Sequence, residues 1–248
     1  MEFKTFGNLN KPVVVLIHAM FFSEEMFYSI VEALEKSYYL IIPILDGHSL
    51  NEHTTFLSVQ DEVDKISEYL KKRGIQSVDI ILGTSLGGII AFELFIQKNF
   101  SISRAYLDGT PFFNLPSICI RIMAFLFKRI AHRLPKTSNS FLDKLYPAYS
   151  LKMKKICENM NDESITNLAK ACYSYKLPKK INLNSGQRLT FIYSSKEIAS
   201  MCIPMLKKYN NSDLIVKKGY SHCEFLAKDP KAYMEILLNN EEKIYDRT

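Results

Sequence analysis

A serine at 85, a histidine at 222 and a carboxylate between them are the residues of this chain most able to do chemistry together, and that chemistry is acyl transfer. Ser85 stands in Gly83-Thr84-Ser85-Leu86-Gly87. The stretch follows the apolar run Val78-Asp79-Ile80-Ile81-Leu82 and precedes Gly88-Ile89-Ile90-Ala91-Phe92-Glu93-Leu94. A Gly-x-Ser-x-Gly turn between a strand and a helix is the context in which the serine acts as a nucleophile. Its backbone is strained there, and the flanking glycines remove side chains that would clash. The turn lifts the hydroxyl above the sheet, and the helix N-terminus behind it favours developing negative charge.

An unassisted hydroxyl is a weak nucleophile; it needs a base, and the base needs an orienting acid. His222 lies in Gly219-Tyr220-Ser221-His222-Cys223, a loop between the last strand and the last helix, where a side chain reaches the same sheet edge as Ser85. His18 and His48 also follow strands at that edge, but both precede the serine; His53 and His132 have no supporting context. Glu197, four residues beyond the run Leu189–Tyr193, is the expected acid, with Asp108 at the end of the preceding strand as the alternative. A tetrahedral oxyanion requires two backbone N–H donors. Leu86, directly after the nucleophile, supplies one, and Met20, after the first buried strand, is expected to supply the other.

These residues need a frame that presents loops at one edge. Val13–Ile17 is a continuous apolar, β-branched run, the pattern of a parallel strand buried on both faces. The spacing then predicts a helix over Ser23–Ser37, a strand over Tyr38–Ile44 and a helix over Ser58–Lys72 closed by Arg73-Gly74. After the serine turn come a helix over Gly88–Gln97 and a strand over Arg104–Leu107. Alternation with short links predicts a mostly parallel, doubly wound α/β sheet. It stops near Pro111; Asn114 to Tyr175 is helical, basic and without strand signals. It resumes with Arg188–Tyr193, a helix around Ile198–Tyr209, a strand at Asp213–Val216 and a helix at Pro230–Leu238. The expected organisation is a core of residues 1–110 and 181–248 with a helical cap, residues 111–180, inserted after the sixth strand. Phe21, Phe112, Phe113, Ile122 and Met123 are the expected pocket lining, although the cap's apolar stripe would equally serve as its seat on the core.

The charge is uneven. Thr110 to Lys180 holds 13 Lys/Arg against 4 Asp/Glu, a net of +9, so the rest of the chain carries a net of −3 within the overall +6. Such a segment is either solubilising or steers an anionic substrate, an acidic carrier protein or a membrane surface. No recognition motif accompanies the charge, so nucleic acid is not expected as a partner. The apolar region Leu115–Phe127 is broken by Arg121 and too short to span a bilayer. The start of the chain lacks a signal-peptide pattern. Five cysteines at 119, 157, 172, 202 and 223 show no zinc or redox spacing and fit reduced thiols in a cytoplasm.

Together these stretches resemble the α/β-hydrolase fold superfamily over nearly the whole chain. Gly83-Thr84-Ser85-Leu86-Gly87-Gly88 is similar to its nucleophile elbow, and Gly219-Tyr220-Ser221-His222 to its histidine loop. His18-Ala19-Met20 resembles its His-Gly-x oxyanion motif with alanine in the glycine place. Asp46-Gly47-His48-Ser49 is similar to its Gly-His-Gly-x-Ser turn without the second glycine, and Ser194-Ser195-Lys196-Glu197 to its acid loop. Within the superfamily the comparison is with capped esterases, including pimeloyl-carrier-protein methyl ester esterases. The resemblance implies hydrolysis of a small to medium acyl ester or thioester, with no metal or organic cofactor. Acyl transfer, C–C cleavage or lyase chemistry on the same site, and a ligand-binding module of low turnover, are the competing readings.

Overall fold

In the computed structural model residues 1–138, 143, 144 and 146–238 are described. Residues 139–142 and 145 of the expected cap, and 239–248 of the expected core, lie outside them. The strands are β1 (Glu2–Phe6), β2 (Val13–Ile17), β3 (Tyr39–Ile44), β4 (Ser77–Thr84), β5 (Ser101–Asp108), β6 (Arg188–Ser194) and β7 (Asp213–Lys217). Among the described residues they form one seven-stranded sheet in the order β1-β3-β2-β4-β5-β6-β7. Only β1 runs antiparallel to its neighbour, pairing Glu2 with Ile44 and Phe6 with Leu40; the other pairs are parallel.

Every residue of β2 and β3 is buried. Two-sided burial is why these strands read as unbroken apolar runs rather than as alternation. β1 is an edge strand, partly open and of mixed composition. It carries no apolar run, and the sequence pattern does not reveal it.

Helices α1 (Tyr28–Leu34), α2 (Val59–Lys72), α3 (Leu86–Gln97) and α4 (Ser117–Arg133) follow in chain order, then helices at Ser150–Asn159, Asp162–Tyr173, Ile203–Leu206, Glu224–Lys228 and Pro230–Leu238. α2 packs against α3, and α1 against the Pro230–Leu238 helix. The expected Ser23–Ser37 helix is a 3₁₀ turn at Glu24–Phe27 followed by α1. The expected Ile198–Tyr209 helix is likewise divided into a 3₁₀ segment, Ile198–Cys202, and a single turn with Pro204 near its start.

The helical excursion leaves the sheet after the fifth strand, β5, not the sixth. Its ends are brought together: Asn114 bridges Ser174, and the Leu115 N–H donates to the Tyr173 carbonyl at 2.8 Å. In the sheet order, the chain passes from β2 outward to β3 and then returns past β2 to β4. The carboxyl ends of β2 and β4 are therefore adjacent at a reversal of strand order, the place where open α/β sheets bind ligands.

Candidate active site

The turn after β4 holds Ser85 at φ 54° and ψ −117°, a conformation an L-residue adopts only when its surroundings impose it. The Ser85 N–H donates to the Asp108 carbonyl of β5 at 2.7 Å, and its own carbonyl accepts the Gly88 N–H at 3.0 Å. Glycine at 87 is a packing requirement, because a Cβ there would collide with the backbone carbonyls of Ile17 and His18. This close approach seats α3 against the end of β2.

The Ser85 hydroxyl donates to His222 Nε2 at 2.9 Å, and His222 Nδ1 donates to Glu197 Oε2 at 2.5 Å. The second oxygen, Glu197 Oε1, accepts the Ser194 N–H at 2.5 Å, so both carboxylate oxygens are held. The acid loop and the histidine loop are tied to each other: the Lys196 N–H donates to the Tyr220 carbonyl at 3.1 Å, and the Gly219 N–H to Ser195 Oγ at 3.0 Å. Gly109, at φ 57°, lies under the histidine–carboxylate pair. A Cβ at 109 would stand 2.7 Å from Glu197 Oε2 and 3.1 Å from His222 Nδ1.

Burial alone would lower the His222 pKa; contacts with Cys223 and with the Glu197 carboxylate outweigh it and hold the pKa well above the ordinary histidine value. Asp108, the alternative acid, is turned elsewhere. Its carboxyl accepts the Tyr233 hydroxyl at 2.9 Å, and burial together with the Glu197 charge pushes its pKa up to about 7.

The other two edge histidines brace the loop after β2. His18 Nε2 accepts the Leu45 N–H at 3.0 Å, and His48 Nε2 accepts the Phe21 N–H at 3.1 Å. Burial, with His48 adding to it, lowers His18 to about 3, and burial lowers His48 to about 4, so both rings are neutral acceptors at ordinary pH. Phe21 is held at φ 67°. Its N–H is engaged by His48, which fixes the course of the loop that brings Met20 into the same cavity lining as Ser85.

Ser85 and His222 open into a cavity of about 520 Å³. Met20, Phe21 and Phe22 line it from the loop after β2, and Phe113, Phe127, Ile130 and Tyr173 from the helical excursion. Three of the residues expected there are elsewhere. Phe112 turns into the core against Phe92 at 5.4 Å and Phe191 at 5.9 Å between ring centres. Ile122 lies on the solvent face of α4, and Met123, one turn before Phe127, stops short of the cavity.

Tyr146 is a residue the sequence does not point to. It lines the cavity, its hydroxyl donates to the His222 carbonyl, and its ring meets Phe22 edge-on at 5.2 Å. Nothing in its local sequence marks it, since its partners lie 76 and more residues away.

Among the described residues, Asp46, Asp61 and Glu62 bring acidic atoms close enough to share a cation. The cluster is already neutralised: Lys65 bonds Asp46 and Asp61, and the Met1 amine stands 3.0 Å from Asp46. Burial and the Asp46 charge push Glu62 up to about 8, which disfavours its anionic, ligating form.

A family model for the alpha/beta hydrolase fold matches residues 12–170, more than half of the chain. Serine hydrolase-like protein 2 of Homo sapiens is 22% identical over 93% of this chain and 77% of its own length. A pimeloyl-[acyl-carrier protein] methyl ester esterase of Vibrio vulnificus is 20% identical over 83% of this chain and 77% of its own. Among solved structures, a hydrolase from Pseudomonas aeruginosa PA01 superposes with a TM-score of 0.77 at 15% identity, covering 95% of this chain and 92% of that one.

Proposed function

As the chain belongs to the alpha/beta hydrolase fold family, we propose that it is a serine hydrolase cleaving a carboxylic ester or thioester of a small to medium acyl substrate. One observation carries the reading: the relay from Ser85 Oγ through the His222 ring to Glu197, at 2.9 and 2.5 Å, in a turn that strains the serine backbone.

In the proposed reaction His222 takes the Ser85 proton as the oxygen attacks the acyl carbon. The tetrahedral oxyanion accepts hydrogen bonds from the Leu86 and Met20 N–H groups. His222 then gives its proton to the leaving alcohol or thiol, and the acyl group remains on Ser85. Water, deprotonated by His222, attacks that ester, and as the bond to Ser85 breaks His222 returns the proton to Ser85 Oγ, releasing the acid and restoring the resting site. Glu197 fixes the imidazole tautomer and stabilises the imidazolium. The described residues of the helical excursion serve as a cap over the cavity, and the lining of Phe21, Phe113, Phe127 and Ile130 favours an apolar acyl chain.

The test is intact mass after treatment with a fluorophosphonate, on wild type and Ser85→Ala, followed by an ester and thioester panel. A single adduct on wild type, absent from the variant, with turnover lost in parallel, is expected. Unchanged ester cleavage by purified Ser85→Ala overturns the reading. Ligand binding without adduct or turnover would make the site a binding module instead.

A further inference from the structure

Helix α4 has a solvent face that, apart from Ile130 at the cavity, neither the fold nor the cavity explains. Ile118, Ile122, Phe125, Leu126 and Ile130 are between 43% and 61% exposed. They recur at three- and four-residue intervals on one side of the helix. Arg121, Arg129 and Arg133 share that side, and among the described residues none of the three is in an ion pair; Arg129 instead lies over the Phe125 ring, 5.6 Å from its centre. A helix meant only to be dissolved would show its charges there and hide its isoleucines.

Two further features adjoin this face. A groove of about 530 Å³ between α4 and the Asp162–Tyr173 helix has Arg121, Lys128 and Lys170 around an apolar floor of Ile120, Ala124 and Phe125. At the other end of the face, Ile130 lines the cavity that holds Ser85, and Ile198, 76% exposed, lines it as well.

We propose that the α4 face docks this protein on an anionic lipid surface, with its aliphatic and aromatic side chains in the headgroup boundary and its arginines among the phosphates. The composition is that of a helix lying in an interface: large apolar side chains to enter it, and long cationic side chains whose stems cover apolar surface while their heads reach charge. The helix has no acidic residue over Ser117–Arg133, so its apolar side chains are flanked by positive charge alone, the pattern of an interfacial helix on anionic lipid; an acidic protein partner is the other outcome of the test. Lys128 in the groove is paired with Asp162 at 3.4 Å, which leaves Arg121 and Lys170 as the cations that suit a phosphodiester headgroup. Contact at this face would bring the cavity mouth to the surface from which a lipophilic ester partitions. That link to catalysis rests on the hydrolase reading; the docking is read without turnover, so the failure of one is distinguishable from that of the other.

The experiment is co-sedimentation of the full chain with vesicles of phosphatidylcholine alone and of phosphatidylcholine with phosphatidylglycerol, at low and high salt. Wild type and Ser85→Ala are expected to bind the mixed vesicles alike, to ignore the neutral ones and to be released by salt. Ile118→Asp/Phe125→Asp and Arg121→Glu/Arg129→Glu are each expected to weaken binding about tenfold or more, with cleavage of a short water-soluble ester unchanged. Because the chain has no tryptophan, Phe125→Trp provides a second readout that preserves an aromatic side chain. Its emission should shift to the blue on mixed vesicles only. Absence of wild-type binding, full binding by the aspartate pair, or an unshifted Phe125→Trp emission each overturns the proposal. Capture of an acidic carrier protein without vesicle binding would reassign the face to a protein partner.

Discussion

Helices α3 and α4 are both rich in long apolar side chains, yet they occupy opposite circumstances. α3 buries nine residues, Leu86 to Ala91 among them without a break, while α4 buries only Ala124 and Ala131. The difference lies in what surrounds each helix. α3 has in its first turn Gly87, pressed against the carbonyls of Ile17 and His18 at the end of β2, and lies between the sheet and α2. α4 rests on the Asp162–Tyr173 helix and leaves its outer side to solvent. The frame holds its elements through backbone contacts that tolerate no added atom; the excursion is held by side chains, such as Tyr146 on the His222 carbonyl, Tyr175 on Glu93 and Lys152 on Glu24. Substitutions in the frame should therefore act on catalysis and folding outright, and those in the excursion on binding.

The sharpest test of the frame is Glu197→Gln. The amide occupies the same space but supplies no charge and a donor where His222 needs an acceptor. Turnover of a soluble ester should fall about a thousandfold or more. The pH profile should move as well. Activity requires neutral His222 and is lost as pH falls through its pKa, which the Glu197 carboxylate helps to raise. Removing that carboxylate should displace the acid limb to lower pH. A limb that stays in place would mean that Glu197 is not the charge His222 senses.

Gly87→Ala comes next. The added Cβ meets backbone carbonyls of Ile17 and His18, which cannot swing aside as a side chain can. A loss of about 3 kcal/mol is expected, measured by urea unfolding. An unchanged midpoint would show that α3 can slide on the sheet, and the contrast with α4 would lose its physical basis.

Gly109→Ala separates site geometry from stability. Its Cβ would push on Glu197 and His222, so activity should fall about a hundredfold from misplacement of the pair. The melting temperature should fall by only a few degrees, reflecting the cost of alanine at positive φ. Equal activity would mean that the loops carrying Glu197 and His222 adjust together.

The same contrast governs what could be read from the residues. β2 and β3 are unbroken apolar runs because both their faces are covered, and the serine, acid and histidine loops follow the apolar stretches of β4, β6 and β7; local pattern and tertiary position coincide. β1 escapes because an edge strand has no such run. The excursion's helices are legible as helices, but periodicity does not say which side of α4 meets the cavity. Phe112 and Phe113 are neighbours in sequence, yet one fills the core and the other lines the pocket. Tyr146, Phe127 and Tyr173 reach the site only through packing between distant segments, which leaves no local trace.

Lys152→Met probes the excursion's side of the comparison with the smallest expected effect. Lys152 Nζ lies 2.8 Å from Glu24 and 2.9 Å from Glu25, joining the Ser150–Asn159 helix to the loop after β2 that carries Met20 and Phe21. Burial would raise the Glu24 pKa, but the bonds from Lys152 and Ser23 outweigh it and lower the value to about 2. A carboxylate with a depressed pKa contributes stability above its unfolded value near 4.5 and loses it as pH falls toward 2. Removing the lysine leaves two half-desolvated carboxylates without a cation, at a cost of about 2 kcal/mol. That cost should be full at neutral pH, shrink below about pH 4 and vanish near pH 2. Because the excursion roofs the cavity without supplying the Ser85 relay, KM should rise several-fold while kcat and fluorophosphonate labelling hold. A fall in kcat with KM unchanged would place this ion pair in the service of Met20 and the oxyanion loop, and so on the frame's side of the division.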